Sequence, residues 1–435
     1  MRQSDHTNSN MINMFYEDML EDIKGMAVID THEHLEREDA RLKRKVDMFN
    51  TFMIHYASCD LISAGMPTED MDFLKSENGN IEEKWRIFEP YWEKSKNTTY
   101  CKTLVYAVKE IYGIDNINED TYKAIDKSMK AANVKGLYKS VLKDICNIET
   151  SIIDCDVDCD RQFFVSTANI SDYVRFKSRD WITKLEKQHD VSIHSLADYI
   201  KLLKKIIEDY KNINKVVCLK SNLAYQRSIK FDRTDYADAD KVFNRMMTVE
   251  DFTGWYSPSP VDLSTKPLED FLMHTVVQTA AELDIPIQIH TGLQEGNGNF
   301  ISNANPVNLT NLFIEYPKAR FDIFHAGYPY AGELCALAKN FNNVYVDLCW
   351  AHIISREYSV RIIEELLDTV PSNKIFGFGG DFCFVEGVCG HLKIARENIA
   401  LALSNKLEKG YLSKQECETI AKRMLYDNAK EFFRL

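Results

Sequence analysis

The sequence predicts an α/β protein: a parallel (β/α)8 barrel of the TIM type, with a helical insertion between its first and second strands. Three observations predict it. Eight short apolar runs can be placed along the 435 residues, and helical periodicity fills most of the gaps between them. Four of those runs end on a histidine or an aspartate, the residues a barrel of this type presents at the C-terminal mouth of its strands. More than a hundred residues separate the first run from the second, far more than one crossover helix requires.

The first strand is expected over 26–31, Met-Ala-Val-Ile-Asp-Thr, and it stops on His32-Glu33-His34. The second and third are expected near 149–154 and 162–167, and the fourth over 215–220, Lys-Val-Val-Cys-Leu-Lys. The fifth ends at His290 after Pro286-Ile287-Gln288-Ile289, and the sixth at His325 after Phe321-Asp322-Ile323-Phe324. The seventh covers 343–348, and the eighth, Lys374 to Asp381, ends on a carboxylate. Between them, Ser195 to Asn212 sets Leu196, Tyr199, Ile200, Leu203, Ile206 and Ile207 on one helical stripe. Leu268 to Leu283, Glu333 to Phe341 and Ser359 to Val370 read similarly, and Lys414 to Phe433 reads as one closing helix. The whole chain, 1–435, is expected to be a single metal-dependent barrel, with residues 40–148 inserted beside its mouth. That insertion is dense in aromatics such as Trp85, Phe88, Trp92, Tyr100 and Tyr112, and is expected to act as a lid, a dimerisation surface or both. The 228–262 stretch, ending Ser257-Pro258-Ser259-Pro260, reads as a long loop.

Residues i and i+2 of a strand point to the same side, so His32 and His34 can converge on one point beyond the strand's end. With His290, His325 and Asp381 at other strand ends, the set reads as a metal site at the barrel mouth. Other candidates are weaker. Asp154, Asp156, Asp158 and Asp160 imitate a calcium loop, but Cys159 and Val165 stand where glycine and glutamate are required, so a solvated acidic turn is expected. His55, His189, His194, His274 and His352 lack the strand-end setting, although His352 follows the seventh strand closely enough to line a pocket. Cys383 is expected to be a buried bystander.

With 45% hydrophobic and 27% charged residues, the chain is an ordinary globular protein. A formal charge of −13 makes nucleic acid or an anionic membrane an improbable partner, and leaves a small-molecule substrate. No apolar run approaches the roughly 20 residues that span a bilayer. Residues 1–10 are polar, without the apolar core of a secretory signal, and the eleven cysteines show no repeated C-x-x-C spacing. The expected compartment is the cytoplasm, with homo-oligomers allowed.

The segments Ile29-Asp30-Thr31-His32-Glu33-His34-Leu35, His290-Thr291-Gly292, Asn305-Pro306, His325-Ala326-Gly327-Tyr328-Pro329, Asn343-Val344-Tyr345-Val346-Asp347 and Gly380-Asp381 resemble, in that order, the amidohydrolase superfamily of metal-dependent barrels, in its amidohydrolase-2 branch. The resemblance covers nearly the whole chain. It is nearest to the hydrolase-like domain fused to glutamine-synthetase-like proteins, and the helical insertion is similar to that of uronate isomerases. The resemblance implies His32, His34, His290 and Asp381 as ligands of a divalent metal, zinc first and manganese as the alternative, with Asp381 and His325 catalytic. His290 and His325 are interchangeable at this stage. Lys220 ends the fourth strand, where some superfamily members carry a carboxylated lysine bridging two metals; an unmodified lysine, pairing with an acid or anchoring a substrate carboxylate, is the preferred expectation. Tyr225 and Arg227 are further substrate-binding candidates, with a salt-bridged loop the plain alternative for Arg227.

The expected function is metal-dependent hydrolysis of an amide, ester or lactone of a small carboxylated metabolite. The alternatives are a uronate-isomerase-like sugar-acid isomerase and a metal-dependent decarboxylase. A non-catalytic binding module is the poorest fit, because a structural role does not preserve a full ligand set.

Overall fold

The strand runs are rich in β-branched and aromatic residues and are buried on both faces, as parallel strands must be when helices cover them outside and a core fills them inside. All six positions of the first strand are buried. In the computed structural model, which describes residues 15–154, 158–175, 178–248 and 264–435, eight strands form one sheet in sequence order. They are β1 (Val28–Glu33), β2 (Ile148–Ile153), β3 (Phe164–Asn169), β4 (Cys218–Ser221), β5 (Ile287–Ile289), β6 (Phe321–Ile323), β7 (Val344–Asp347) and β8 (Ile375–Phe376). Every neighbouring pair is parallel. Backbone bonds from β1 to the segment after β8 bring the sheet round on itself: Thr31 N to Phe378 O, Asp381 N to His32 O and His34 N to Phe382 O, at 2.8–3.1 Å. The result is a TIM-type (β/α)8 barrel with a helical insertion between β1 and β2.

Ile29, Ile152, Cys218 and Phe376, from four different strands, meet Ala429, Phe432 and Phe433 of the last helix in one buried cluster. That plug fills the N-terminal end of the barrel and leaves the C-terminal end open to solvent chemistry. The chain's final segment is not one continuous helix. Lys414–Lys422 and Asn428–Phe433 flank a wide π-type turn at Arg423–Asp427, which frees the Met424 carbonyl to accept from Gly377 N at 2.7 Å.

The helix Leu196–Asn212 starts at a capping box between Ser195 and Asp198 and buries the expected stripe. The expected long loop after β4 instead contains a helix, Tyr236–Met246, capped by Asp235 and burying Ala239, Val242, Phe243 and Met246. Its i, i+3, i+4, i+7 spacing was masked by surrounding aspartates. Ser257 to Pro260 lies outside the described residues. Among the described residues, no helix is long and apolar enough to cross a membrane.

The insertion's helices, including Ile81–Ser95, Thr99–Tyr112 and Tyr122–Ala132, bury their apolar faces in a core continuous with that of the barrel. Trp85 stacks on Tyr122 at 4.6 Å, Phe88 on Trp92 at 5.3 Å, and Trp92 Nε1 donates to Ile117 O. Thr99–Tyr112 lies against Val385–Glu408, the helix after β8, so closely that a Cβ on Gly390 would sit 2.1 Å from the Thr103 carbonyl. The buried pair Arg41–Glu386, at 2.8 Å, ties the same two bodies together.

Candidate metal centre and active-site cavity

β1 delivers His32 and His34 to the barrel mouth, and the turn after β8 delivers Asp381 opposite them. His32 Nε2 and His34 Nε2 are 3.2 Å apart, and they lie 3.7 and 3.2 Å from Asp381 Oδ1. Two bonds of about 2.1 Å at octahedral or tetrahedral angles set donor atoms roughly 3.0–3.4 Å apart. Two imidazoles and one carboxylate at these spacings fit one face of a divalent ion. Dense surroundings lower the His34 pKa, but the adjacent Asp381 carboxylate outweighs them and raises it.

His325 and His290 complete the cluster. His325 Nδ1 donates to the Cys349 carbonyl and His290 Nε2 to the Leu293 carbonyl, each at 2.9 Å. A carbonyl only accepts, so both tautomers are fixed, and the bare nitrogens His325 Nε2 and His290 Nδ1 face each other at 2.9 Å. Burial drives His290 well below its ordinary pKa and His325 down to about 4. Two neutral lone pairs in contact repel unless a cation lies near them, which again fits a metal. His325 Nε2 reaches Asp381 Oδ2 at 4.0 Å, whereas His290 meets the cluster through His325.

Backbone strain marks the same positions. His325, Trp350 and Asp381 have φ of +63°, +60° and +56°, a conformation uncommon for non-glycine residues. Gly380 permits the sharp turn, since a Cβ there would lie 1.8 Å from Glu33 Oε1. Two buried acids grip the backbone on either side of Asp381: Asp30 Oδ1 accepts from Gly380 N at 2.9 Å, and Glu33 Oε2 from Phe382 N at 2.8 Å.

A cavity of about 510 Å³ opens over the cluster; most of its lining side chains carry a polar or ionisable group, while apolar surface such as that of Ile54 and the tyrosine rings shares the wall. Lys220 lines it, with its ammonium 3.5 Å from the centre of the Phe324 ring and no carboxylate partner among the described residues. Tyr225 lines it too, its ring 4.6 Å from His290. Arg227 does not. Its guanidinium is held by Glu269 and Asp270 behind the loop, so the salt-bridged alternative describes it and a substrate role is withdrawn.

Other expectations need correction. Asp154 is no solvated turn residue: it follows β2, is half-buried with its side chain nearly covered, lines the cavity, and sits 3.8 Å from His34 Nδ1. Asp156 lies outside the described residues. His55 and Tyr56, from the insertion, also line the cavity. Tyr56 OH donates to the Asp381 carbonyl at 2.7 Å and its ring stacks on Trp350 at 4.6 Å; Trp350 in turn meets His325 edge-on. The insertion's tryptophans, which the composition made prominent, pack instead against aromatics of the insertion itself. Cys383 borders the cavity, but burial pushes its thiol up to about 12, so it stays protonated. His352 is buried away from the cavity, donating to the Gly377 carbonyl. Glu295, on the loop after β5, also faces the cavity. Only strand-end position marks a site residue in sequence, and Glu295, His55 and Tyr56 lack it.

Residues 255–435 match the family model described as amidohydrolase, and that region holds His290, His325 and Asp381. Over that region, somewhat less than half of its length, the chain is similar to the amidohydrolases. The clustered histidine, cysteine and carboxylate side chains at the barrel mouth form groups that could hold a metal ion. Over 226 residues it is 25% identical to protein fluG of Emericella nidulans, a match covering 51% of this chain and 26% of that protein. The chain thus spans about a quarter of the length of that curated relative. The uronate isomerase of Thermotoga maritima has a similar structure, with a TM-score of 0.79 at 16% identity over 97% of both chains. The glucuronate isomerase of Caulobacter crescentus gives 0.76 at 14% identity, over 97% of this chain and 94% of the other. At such identities the likeness is one of fold, and it includes the region of the insertion.

Proposed function

We propose that the protein is a metal-dependent sugar-acid isomerase, interconverting an aldose acid and its keto isomer. The observation that carries this reading is the cavity: most of its lining side chains carry a polar or ionisable group, and Lys220, the one lysine or arginine among its described lining residues, shares it with the histidine–aspartate cluster. A polyhydroxylated acid satisfies such a wall, with its carboxylate at Lys220 and its carbonyl end at the cluster; an apolar or aromatic substrate would leave polar groups unpaired. The full-length fold match to uronate isomerases supports the same choice.

His32, His34 and Asp381 would hold the ion, with His290 and His325 alongside; the nitrogen and oxygen donors suit zinc or manganese. When bound, a divalent ion supplies Lewis acidity toward a substrate oxygen. Tyr225 packs on His290 and offers its hydroxyl edge to the cavity, while Asp381 is placed to take a hydroxyl proton from the substrate. His325 Nε2, bare and neutral, is the next proton acceptor. The described cysteines are unbridged, which fits a reducing compartment such as the cytoplasm.

Hydrolysis of an amide, ester or lactone is the second reading, favoured by the family model's description; there Asp381 would take its proton from water. A panel assay separates the two. Metal-loaded protein is given D-glucuronate and D-galacturonate in parallel with sugar-acid lactones and N-acyl amino acids. Ketose formation without lactone or amide turnover is expected. Hydrolysis without ketose would replace the isomerase reading with the second.

A further inference from the structure

Both oxygens of Asp381 face histidines: Oδ1 lies 3.7 and 3.2 Å from His32 and His34, and Oδ2 lies 4.0 Å from His325. A carboxylate so engaged is poorly placed to reach a substrate carbon as well. Asp154 is committed to His34 Nδ1. The remaining carboxyl in the cavity is Glu295.

The chain anchors the backbone of Glu295. Its N–H donates to Tyr225 OH at 3.0 Å, Asn299 Nδ2 donates to its carbonyl at 3.0 Å, and Gln294 Nε2 beside it donates to Ala224 O at 3.0 Å. Its side chain has no ion pair among the described residues. The contact it makes is weak, with the Cys59 thiol of the insertion at 3.7 Å. A half-buried carboxyl on an anchored backbone, facing a cavity without an ion-pair partner, is free to meet a substrate, as an acid–base group must be.

We propose that Glu295 is a second proton carrier, working on substrate carbon while Asp381 works on substrate oxygen. This rests on the isomerase reading. Asp381 takes the O2 proton and the Glu295 carboxylate removes the proton from C2; the C2–H electron pair becomes the C1=C2 bond as Asp381 passes its proton to the C1 carbonyl oxygen. The O2 oxyanion of the resulting enediolate then forms the C2 carbonyl, and the C1=C2 pair takes the proton back from Glu295 onto C1. No oxidant and no water are consumed. Burial holds Glu295 above the ordinary carboxyl range, closer to the pH at which one group can both take and return a proton.

The test is isomerisation of D-glucuronate in D2O, followed by NMR, with metal-loaded wild type, Glu295→Gln and Cys59→Ala. Wild type should place deuterium on C1 of the ketose. Glu295→Gln should lower kcat about 100-fold or more, with KM within a few-fold and metal content unchanged. It should also lose the acid limb of the kcat profile. That limb is set with Cys59 and Lys75 of the insertion, Tyr225 of the β4 loop, and His34 and Asp381 across the cavity. Cys59→Ala should keep kcat within a few-fold. If Glu295→Gln fails to fold or loses metal, Glu295→Asp takes its place, with a reduced kcat and a shifted limb expected. Near-normal kcat and deuteration in the folded variant would overturn the proposal alone. A wild type that leaves hexuronates untouched would overturn the isomerase reading, and this proposal with it.

Discussion

Asp381 shows how much of the structure is spent on one side chain. Its backbone adopts φ of +56°, its N–H is taken by the His32 carbonyl, and Asp30 and Glu33 hold the amides on either side. Asp381→Asn keeps the shape and one carbonyl oxygen but cannot accept a proton. We expect kcat to fall by about 1000-fold while metal content drops only partly, read by turnover and metal analysis of the purified variant. Gly380→Ala would drive a methyl into Glu33, which is fully buried and bonded, and should cost about 3 kcal/mol in a denaturant titration. A change below about 0.5 kcal/mol would mean that the close approach is not real. His352 tests the buried interior by pH. Burial lowers it from 6.5 to about 4, so the unfolded chain takes the proton first and native stability falls as pH drops from 6.5 toward 4. Asp30 and Asp347, raised by burial to about 6 and about 7, act in the opposite sense. The measurement is therefore the stability difference between wild type and His352→Gln, expected to fall by about 1.4 kcal/mol per pH unit over that window and to stay flat above it. At this scale the sequence was legible where a residue ends a strand, as His32, His34, His290, His325 and Asp381 do. Glu295, His55 and Tyr56 were hidden because loops and an insertion bring them in from outside any periodic pattern, and Arg227 misled because its partners, Glu269 and Asp270, lie far along the chain.

The elements divide into those that hold the barrel and those that close the site. Tyr56 belongs to the second group, linking the insertion to Asp381 through a hydrogen bond and to His325 through Trp350. Tyr56→Phe keeps the stack and removes the bond, and should lower kcat about tenfold with a small loss of stability, read by steady-state kinetics beside a melting curve. Unchanged kinetics would show that the insertion covers the site without positioning it. Ser195→Ala, at the cap of Leu196–Asn212, is the converse case. It should cost about 1 kcal/mol in urea and leave kcat alone. Strands and amphipathic helices were readable because burial imposes their periods. The helix Tyr236–Met246 was not, because its four buried residues sit in an acidic stretch. The break at Arg423–Asp427 was not either, because it answers to Gly377 across the barrel rather than to local sequence.

At the scale of the whole molecule, the plug of Ile29, Ile152, Cys218 and Phe376 closes one barrel end, and the donor cluster occupies the other. The order of the motifs along the chain made this architecture legible, while the chemistry of the cavity wall needed the folded molecule. Removing the metal should expose how far the mouth depends on it. Restoring zinc or manganese to chelator-treated protein at a thousandfold excess over Kd should raise unfolding free energy by about 4 kcal/mol. The central claim is that His32, His34 and Asp381 form the metal site, and anomalous X-ray diffraction from metal-loaded crystals tests it most directly. The account predicts one principal peak bonded to His32 Nε2, His34 Nε2 and Asp381 Oδ1, with unmodified density at Lys220 Nζ. A principal peak on His325 and Cys349 instead, or two peaks bridged by a carboxylated Lys220, would contradict it.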